Sequence, residues 1–223
     1  VWALAPRQAR ARLCPAEGHR WTLERLPGHD PTITAGFFGV VVSLKDLSAS
    51  VWRWHRPNGK WDVQKVIEIP AEPADPDLLP PALKPFKAVP PLVTDIDLSV
   101  DDRFLYVSCF GTGEMRQYDV SDPFHPQQVG SVHIGGIVRQ APHPTDPERK
   151  LRGGPQTVEV SRDGKRVYFT NSLHAPWDDQ CYPAGVGTWR GKLGLAPEAG
   201  IQLLPNLFFG PTAHLVTPPP TTA

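Results

Sequence analysis

The sequence predicts an all-β protein assembled from β-propeller blades, and three observations carry that reading. Of 223 residues, 27 are Pro and 19 are Gly, a density of turn formers that suits many short strands and poorly suits long helices. Residues 49–70 read as a hairpin: "SVWRWH" alternates, Asn58-Gly59 forms the tip, and "WDVQKVIEI" alternates again. The chain also repeats itself, because "LSVDDRFLYVS" (98–108) and "VSRDGKRVYFT" (160–170) agree position by position at an offset of 62 residues.

The elements follow in order. Residues 1–28 show no clear period. "GFFGVVVS" (36–43) is a continuous apolar, β-branched run and predicts a buried strand ahead of the 49–70 hairpin. Residues 70–91 hold eight prolines, which fits either a solvated linker or a stiff loop. Leu78, Leu79, Leu83 and Phe86 favour a loop packed on the domain, since a solvated linker has no need of them. In each repeat copy an apolar strand end is followed by Ser, an Asp-Asp or Asp-Gly turn, a basic residue and a second strand. Asp-Gly supplies the positive φ of a tight turn, and Asp tolerates it nearly as well. "MRQYDV", "SDPFHP" and "QQVGSVHI" supply a further strand, turn and strand. Residues 139–154 predict a second long loop, more polar and more mobile than the first.

A strand–turn–strand repeat followed by another hairpin describes a four-stranded blade, with a β-sandwich of similar hairpins as the alternative. At this spacing the chain holds about three to four blades, fewer than the roughly 4–8 with which a propeller typically closes. The expectation is therefore one partial propeller domain over 1–223. The sequence opens on Val1 and its one Met is Met115, so the true start is expected to lie upstream and no signal peptide can be sought.

Composition restricts the function classes. Lys plus Arg and Asp plus Glu are 23 each, and no basic run stands out, which excludes nucleic acid or an anionic membrane as the expected partner. No window is long and apolar enough for a helical membrane span. Cys14, Cys109 and Cys181 are odd in number and far apart, against a disulfide framework and against a CxxC zinc site.

The segments "VVVSLKDLSASVWRW", "KVIEIPAEPADPDLLPP", "PPLVTDIDLSVDDRFLYVSCFGTGEMRQYDVSDPF", "GGPQTVEVSRDGKRVYFTNSL" and "WDDQCYP" resemble the C-terminal half of the selenium-binding proteins, over about residues 29–189. Some members of that family are methanethiol oxidases. The resemblance implies a seven-bladed propeller in the full-length family. For oxidase members it also implies a copper-dependent reaction of a small thiol with O2, in which methanethiol, O2 and water give formaldehyde, hydrogen sulfide and hydrogen peroxide. Selenium is a second implied ligand. A cytoplasmic or periplasmic location is expected.

Two histidines carry over from the family pattern as metal ligands. His29 in "GHDPTITAGFFG" matches a His before Asp-Pro or Asn-Pro, and His214 in "TAHLV" matches an Arg-Ala-His strand in which Thr212 replaces the Arg. The remaining ligands and the selenium-linked Cys belong to the N-terminal half of the family, so this chain alone is expected to be inactive. Residues 1–27 and 190–223 depart from the family pattern. Copper chemistry needs imidazoles and an open position, and in a propeller these come from different blades, so no HxH or HxxxH spacing is expected.

Other residues have plainer expected roles. His55, His125 and His143 lie in Pro-rich or turn contexts and are expected to be solvated, and His174 follows a strand end that is either surface or funnel mouth. Cys109 has no basic or imidazole neighbour in sequence, so packing is expected over a reactive thiol. Asp95, Asp97, Asp101 and Asp102 lack a calcium-loop spacing and are expected to form turns. "GTGE" (111–114) lacks a phosphate-loop context. "RGGPQ" (152–156) either faces the channel or starts a strand. The alternative to an oxidase is a non-catalytic selenium-binding or protein-interaction propeller.

Overall fold

The computed structural model describes residues 19–30, 32–143, 146–172, 175–186, 190–196 and 200–202. His174 and His214 lie outside them. Three four-stranded antiparallel sheets follow one another along the chain. The first contains β1 (His19–Pro27), β2 (Ala35–Ser43), β3 (Ala49–His55) and β4 (Asp62–Ile69); the second contains β7 (Val93–Leu98), β8 (Phe104–Cys109), β9 (Glu114–Asp119) and β10 (Gln127–His133). The third contains β13 (Val158–Val160), β14 (Arg166–Thr170), β15 (Arg190–Ala196) and β16 (Gly200–Gln202). Within each sheet the spatial order is the chain order, the meander of a propeller blade.

The blades pack face to face. Phe37, Val51, Ile67 and Ile69 of the first blade close a core with Val93, Ile96, Leu105, Val107 and Cys109 of the second. Tyr106 and Met115 on the opposite face of the second blade join Val158, Val167, Phe169 and Leu193 of the third. Period-two alternation makes this two-sided burial possible, since neighbouring residues on one strand serve different cores. At about 1.5–3 kcal/mol for each large apolar side chain removed from water, these two interfaces hold the blades in place. The first strands lie side by side, with β7 between β1 and β13.

The turns of the 62-residue repeat have one geometry. In the second blade, Ser99 Oγ donates to Asp101 Oδ1 at 2.5 Å and accepts from Phe104 N at 2.8 Å. In the third, Ser161 Oγ donates to Asp163 Oδ1 at 2.5 Å and accepts from Arg166 N at 3.0 Å. The residue after the acid is left-handed in both, Asp102 with φ 58° and Gly164 with φ 66°.

The described residues between the blades form short strand pairs of their own. Residues 70–92 contain the pair β5 (Glu72–Pro73) and β6 (Ala88–Val89) and two short 3-10 turns. Leu79 is buried and Leu83 partly so, whereas Leu78 and Phe86, two of the residues that argued for packing, are exposed. Beyond the second blade, β11 (Pro142–His143) pairs with β12 (Asp146–Lys150). His143, at the end of that pair, is buried, contrary to the expectation of a solvated ring. A helix, α1 (Ala175–Cys181), precedes Tyr182, whose hydroxyl donates to the Phe110 carbonyl at 2.6 Å.

Candidate functional site

β7 reads Val-Thr-Asp-Ile-Asp-Leu, so its alternate side chains are apolar toward the first blade and acidic toward the third. Asp95 Oδ2 accepts from Val158 N and Asp97 Oδ2 accepts from Val160 N, each at 2.7 Å. The other oxygen of each carboxylate accepts from its own strand, from Ile96 N and Leu98 N at 2.9 Å. The two acids therefore satisfy backbone donors on two adjoining first strands, which would otherwise present unpaired edges. Thr94 Oγ1 adds a hydrogen bond to the Gln156 carbonyl at 2.8 Å. Burial pushes the Asp97 carboxyl above its usual range, against the backbone donors that lower it. These two acids were expected in turns. Their partners lie 63 residues away, on another blade.

One residue beyond β1's neighbouring Gly28, His29 meets the turn of the second blade. Its backbone N–H donates to Asp102 Oδ2 at 2.7 Å, and its Nδ1 lies 2.6 Å from Asp102 Oδ1. An ionised carboxylate can only accept, so Nδ1 carries the proton of this contact and Nε2 is the ring nitrogen not engaged by Asp102. The ring is 53% exposed, and Nε2 has no partner among the described residues. Gly28 makes room for this clamp, because a Cβ there would sit 2.9 Å from Asp102 Oδ2. Asp102 also supports the charge of Arg53, whose guanidinium lies 5.0 Å from the Phe37 ring and is partly desolvated.

A histidine held at one nitrogen by a carboxylate is the arrangement that fixes a metal ligand's tautomer. His29 fits one ligand position. Among the described residues it belongs to no group of three metal-ligand side chains. The group that does meet that description is Glu72, Glu114 and His133, at the far end of the second blade.

The remaining candidates are structural. Cys109 is fully buried, and burial pushes its thiol up to about 12. His125 is exposed and pairs with Asp122 at 2.9 Å, while His55 packs edge-on against Phe124 at 5.1 Å. "GTGE" forms the β8–β9 turn. "RGGPQ" leads into β13, with Gln156 N donating to the Thr170 carbonyl at 2.7 Å.

Blades joined face to face, with a carboxylate-held imidazole at the turns of two first strands, define part of a β-propeller. The sequence profile of the 56 kDa selenium-binding proteins matches residues 1–217, and the chain belongs to that family. It is 39% identical over 197 residues to the methanethiol oxidase of Homo sapiens, covering 80% of this chain and 39% of that protein. The methanethiol oxidase of Xenopus tropicalis is 37% identical with the same coverage. A solved structure of a hypothetical selenium-binding protein from Sulfolobus tokodaii superposes with a TM-score of 0.83 at 55% identity, covering 87% of this chain and 42% of that one. The chain thus spans about two fifths of the length of the curated relatives it matches.

Proposed function

We propose that these blades belong to a complete propeller that oxidises methanethiol with O2 and water to formaldehyde, hydrogen sulfide and hydrogen peroxide. The observation that supports this most is the His29–Asp102 clamp, in a chain 37–39% identical to relatives named methanethiol oxidase. Bound copper would supply the one-electron chemistry that a thiol and O2 require, with His29 Nε2 as one ligand and His214 as a second.

The chain's own residues prepare that site. Asp102 keeps a proton on Nδ1 and fixes the ring plane, so Nε2 is the nitrogen left to ligate. Asp95 and Asp97 hold the two first strands at a set spacing, which is the precision a ligand set drawn from several blades demands. Cys109 takes no part as a thiolate, because its burial keeps it protonated.

The test is turnover by the copper-loaded intact protein. Methanethiol should yield sulfide, formaldehyde and peroxide in equal amounts, and His29→Ala should lower copper occupancy. No product from the copper-loaded protein would sink the oxidase reading and leave a non-catalytic selenium-binding propeller. Unchanged occupancy in His29→Ala would remove His29 from the site.

A further inference from the structure

At the end of the second blade away from His29, cross-strand pairing sets Glu114, the first residue of β9, opposite His133, the last of β10. Glu72 of β5 joins them, and one ligand atom from each residue lies within 4.8 Å of the other two. Glu114 is buried, and its Oε2 accepts from Arg116 Nε at 2.9 Å and Nη2 at 2.5 Å. Its Oε1 faces His133 Nε2 at 3.8 Å. Arg139 Nη1 lies 3.0 Å from that same Nε2, and Arg139 Nη2 lies 3.7 Å from Glu72 Oε2. A guanidinium only donates, so Nε2 of His133 is an acceptor whose lone pair is taken up by Arg139 in this arrangement.

Two features separate this group from an ordinary surface ion network. Its central cation is a side chain 62% exposed, which can swing into solvent at little cost. Glu72 and Arg139 also line a cleft of about 230 Å3 together with Asp75 and Thr112. Thr112 is 3% exposed, and its hydroxyl has no hydrogen-bond partner. A buried hydroxyl without a partner costs about 1–3 kcal/mol, which a bound ligand or its water would recover. With Arg139 withdrawn, Glu72, Asp75 and Glu114 against Arg116 leave two net negative charges, matching a divalent cation.

We propose that Glu72, Glu114 and His133 form a divalent transition-metal site of the zinc class, in which Arg139 is a displaceable resident cation. Two carboxylate oxygens and one imidazole nitrogen, with no thiolate, suit zinc or a similar borderline ion and leave a position for water. Tetrahedral zinc needs donors roughly 3.3 Å apart, a small contraction from the present group.

The probe is zinc chloride, titrated calorimetrically into the chelator-treated intact protein with far-UV circular dichroism as the fold control. Arg139→Ala is expected to tighten one equivalent of zinc by tenfold or more. His133→Ala and Glu72→Gln, both partly exposed, should each lose that equivalent. His29→Ala should keep it, which separates this site from the copper reading. Zinc bound by neither wild type nor Arg139→Ala, or binding unchanged in Arg139→Ala or His133→Ala, overturns the proposal.

Discussion

The turn at 99–103 and the turn at 161–165 share their hydroxyl, their acid and their left-handed residue, yet among the described residues only the first hydrogen-bonds through that left-handed residue's side chain to a neighbouring blade. The difference is one position. Gly164 adopts φ 66° without a side chain, while Asp102 adopts φ 58° and spends its carboxylate on His29. An L-residue in that region is strained by roughly 1–2 kcal/mol where Gly is not. The two charge-assisted hydrogen bonds from His29 offset it, at about 1.5–3 kcal/mol each before solvent exposure is discounted. The repeat conserves the scaffold of the turn, and chemistry enters at the single residue the scaffold leaves free.

Breaking the junction beside the turns should have the largest effect. Asp97→Ala leaves Val160 N and Leu98 N without their carboxylate acceptor, and a loss of about 2–4 kcal/mol is expected in chemical denaturation. A loss below about 0.5 kcal/mol would show that the blades are held by their apolar cores alone. Gly28→Ala should come next for the site, since the new Cβ meets Asp102 Oδ2 and must move the carboxylate. Nuclear magnetic resonance of the His29 ring should then report a mixture of tautomers rather than one.

Exchanging the distinguishing residue sharpens the comparison further. Asp102→Gly should leave stability within about 1 kcal/mol of wild type, because relieved strain opposes lost hydrogen bonds. Gly164→Asp should cost up to about 1 kcal/mol, as strain with no partner to offset it. Stabilisation by Asp102→Gly as large as the cost of Gly164→Asp would mean that the clamp contributes nothing.

The smallest effect is the acid response the turns share. The Ser99 and Ser161 hydroxyls, as the main cause, hold Asp101 and Asp163 below the usual carboxylate range. Each acid therefore adds stability above its unfolded pKa and loses it as pH falls through the folded value. Ser99→Ala and Ser161→Ala should each flatten the decline of the melting temperature between about pH 5 and pH 2. Asp97 works in the opposite sense. Its raised pKa makes its contribution complete below the usual carboxylate value and smaller as pH rises through the folded one.

The blade pattern was legible because its determinants are local. Ser, Asp and a left-handed residue must sit at fixed offsets for the turn to close, and the strands on either side must alternate. Asp95 and Asp97 were harder to place. They look like turn acids until the alternation of β7 is taken literally, with residues two apart on one face and the next blade opposite them. His29 was found through family resemblance, whereas its anchor Asp102 is 73 residues away and could not be paired with it from one chain. Glu72, Glu114 and His133 carry no spacing signature, because β5 and the β9–β10 pair meet only in the folded blade. His143 sits in a Pro-rich context that reads as solvated, and its burial comes only with the folded chain.

The most direct test of the comparison is the copper affinity of Asp102→Gly in the intact protein, measured by competition with a chromophoric chelator. Loss of the anchoring carboxylate should weaken copper roughly 10–100-fold while the thermal midpoint stays close to that of wild type. Copper bound as tightly by Asp102→Gly as by wild type would contradict the assignment of Asp102 as the residue that prepares His29.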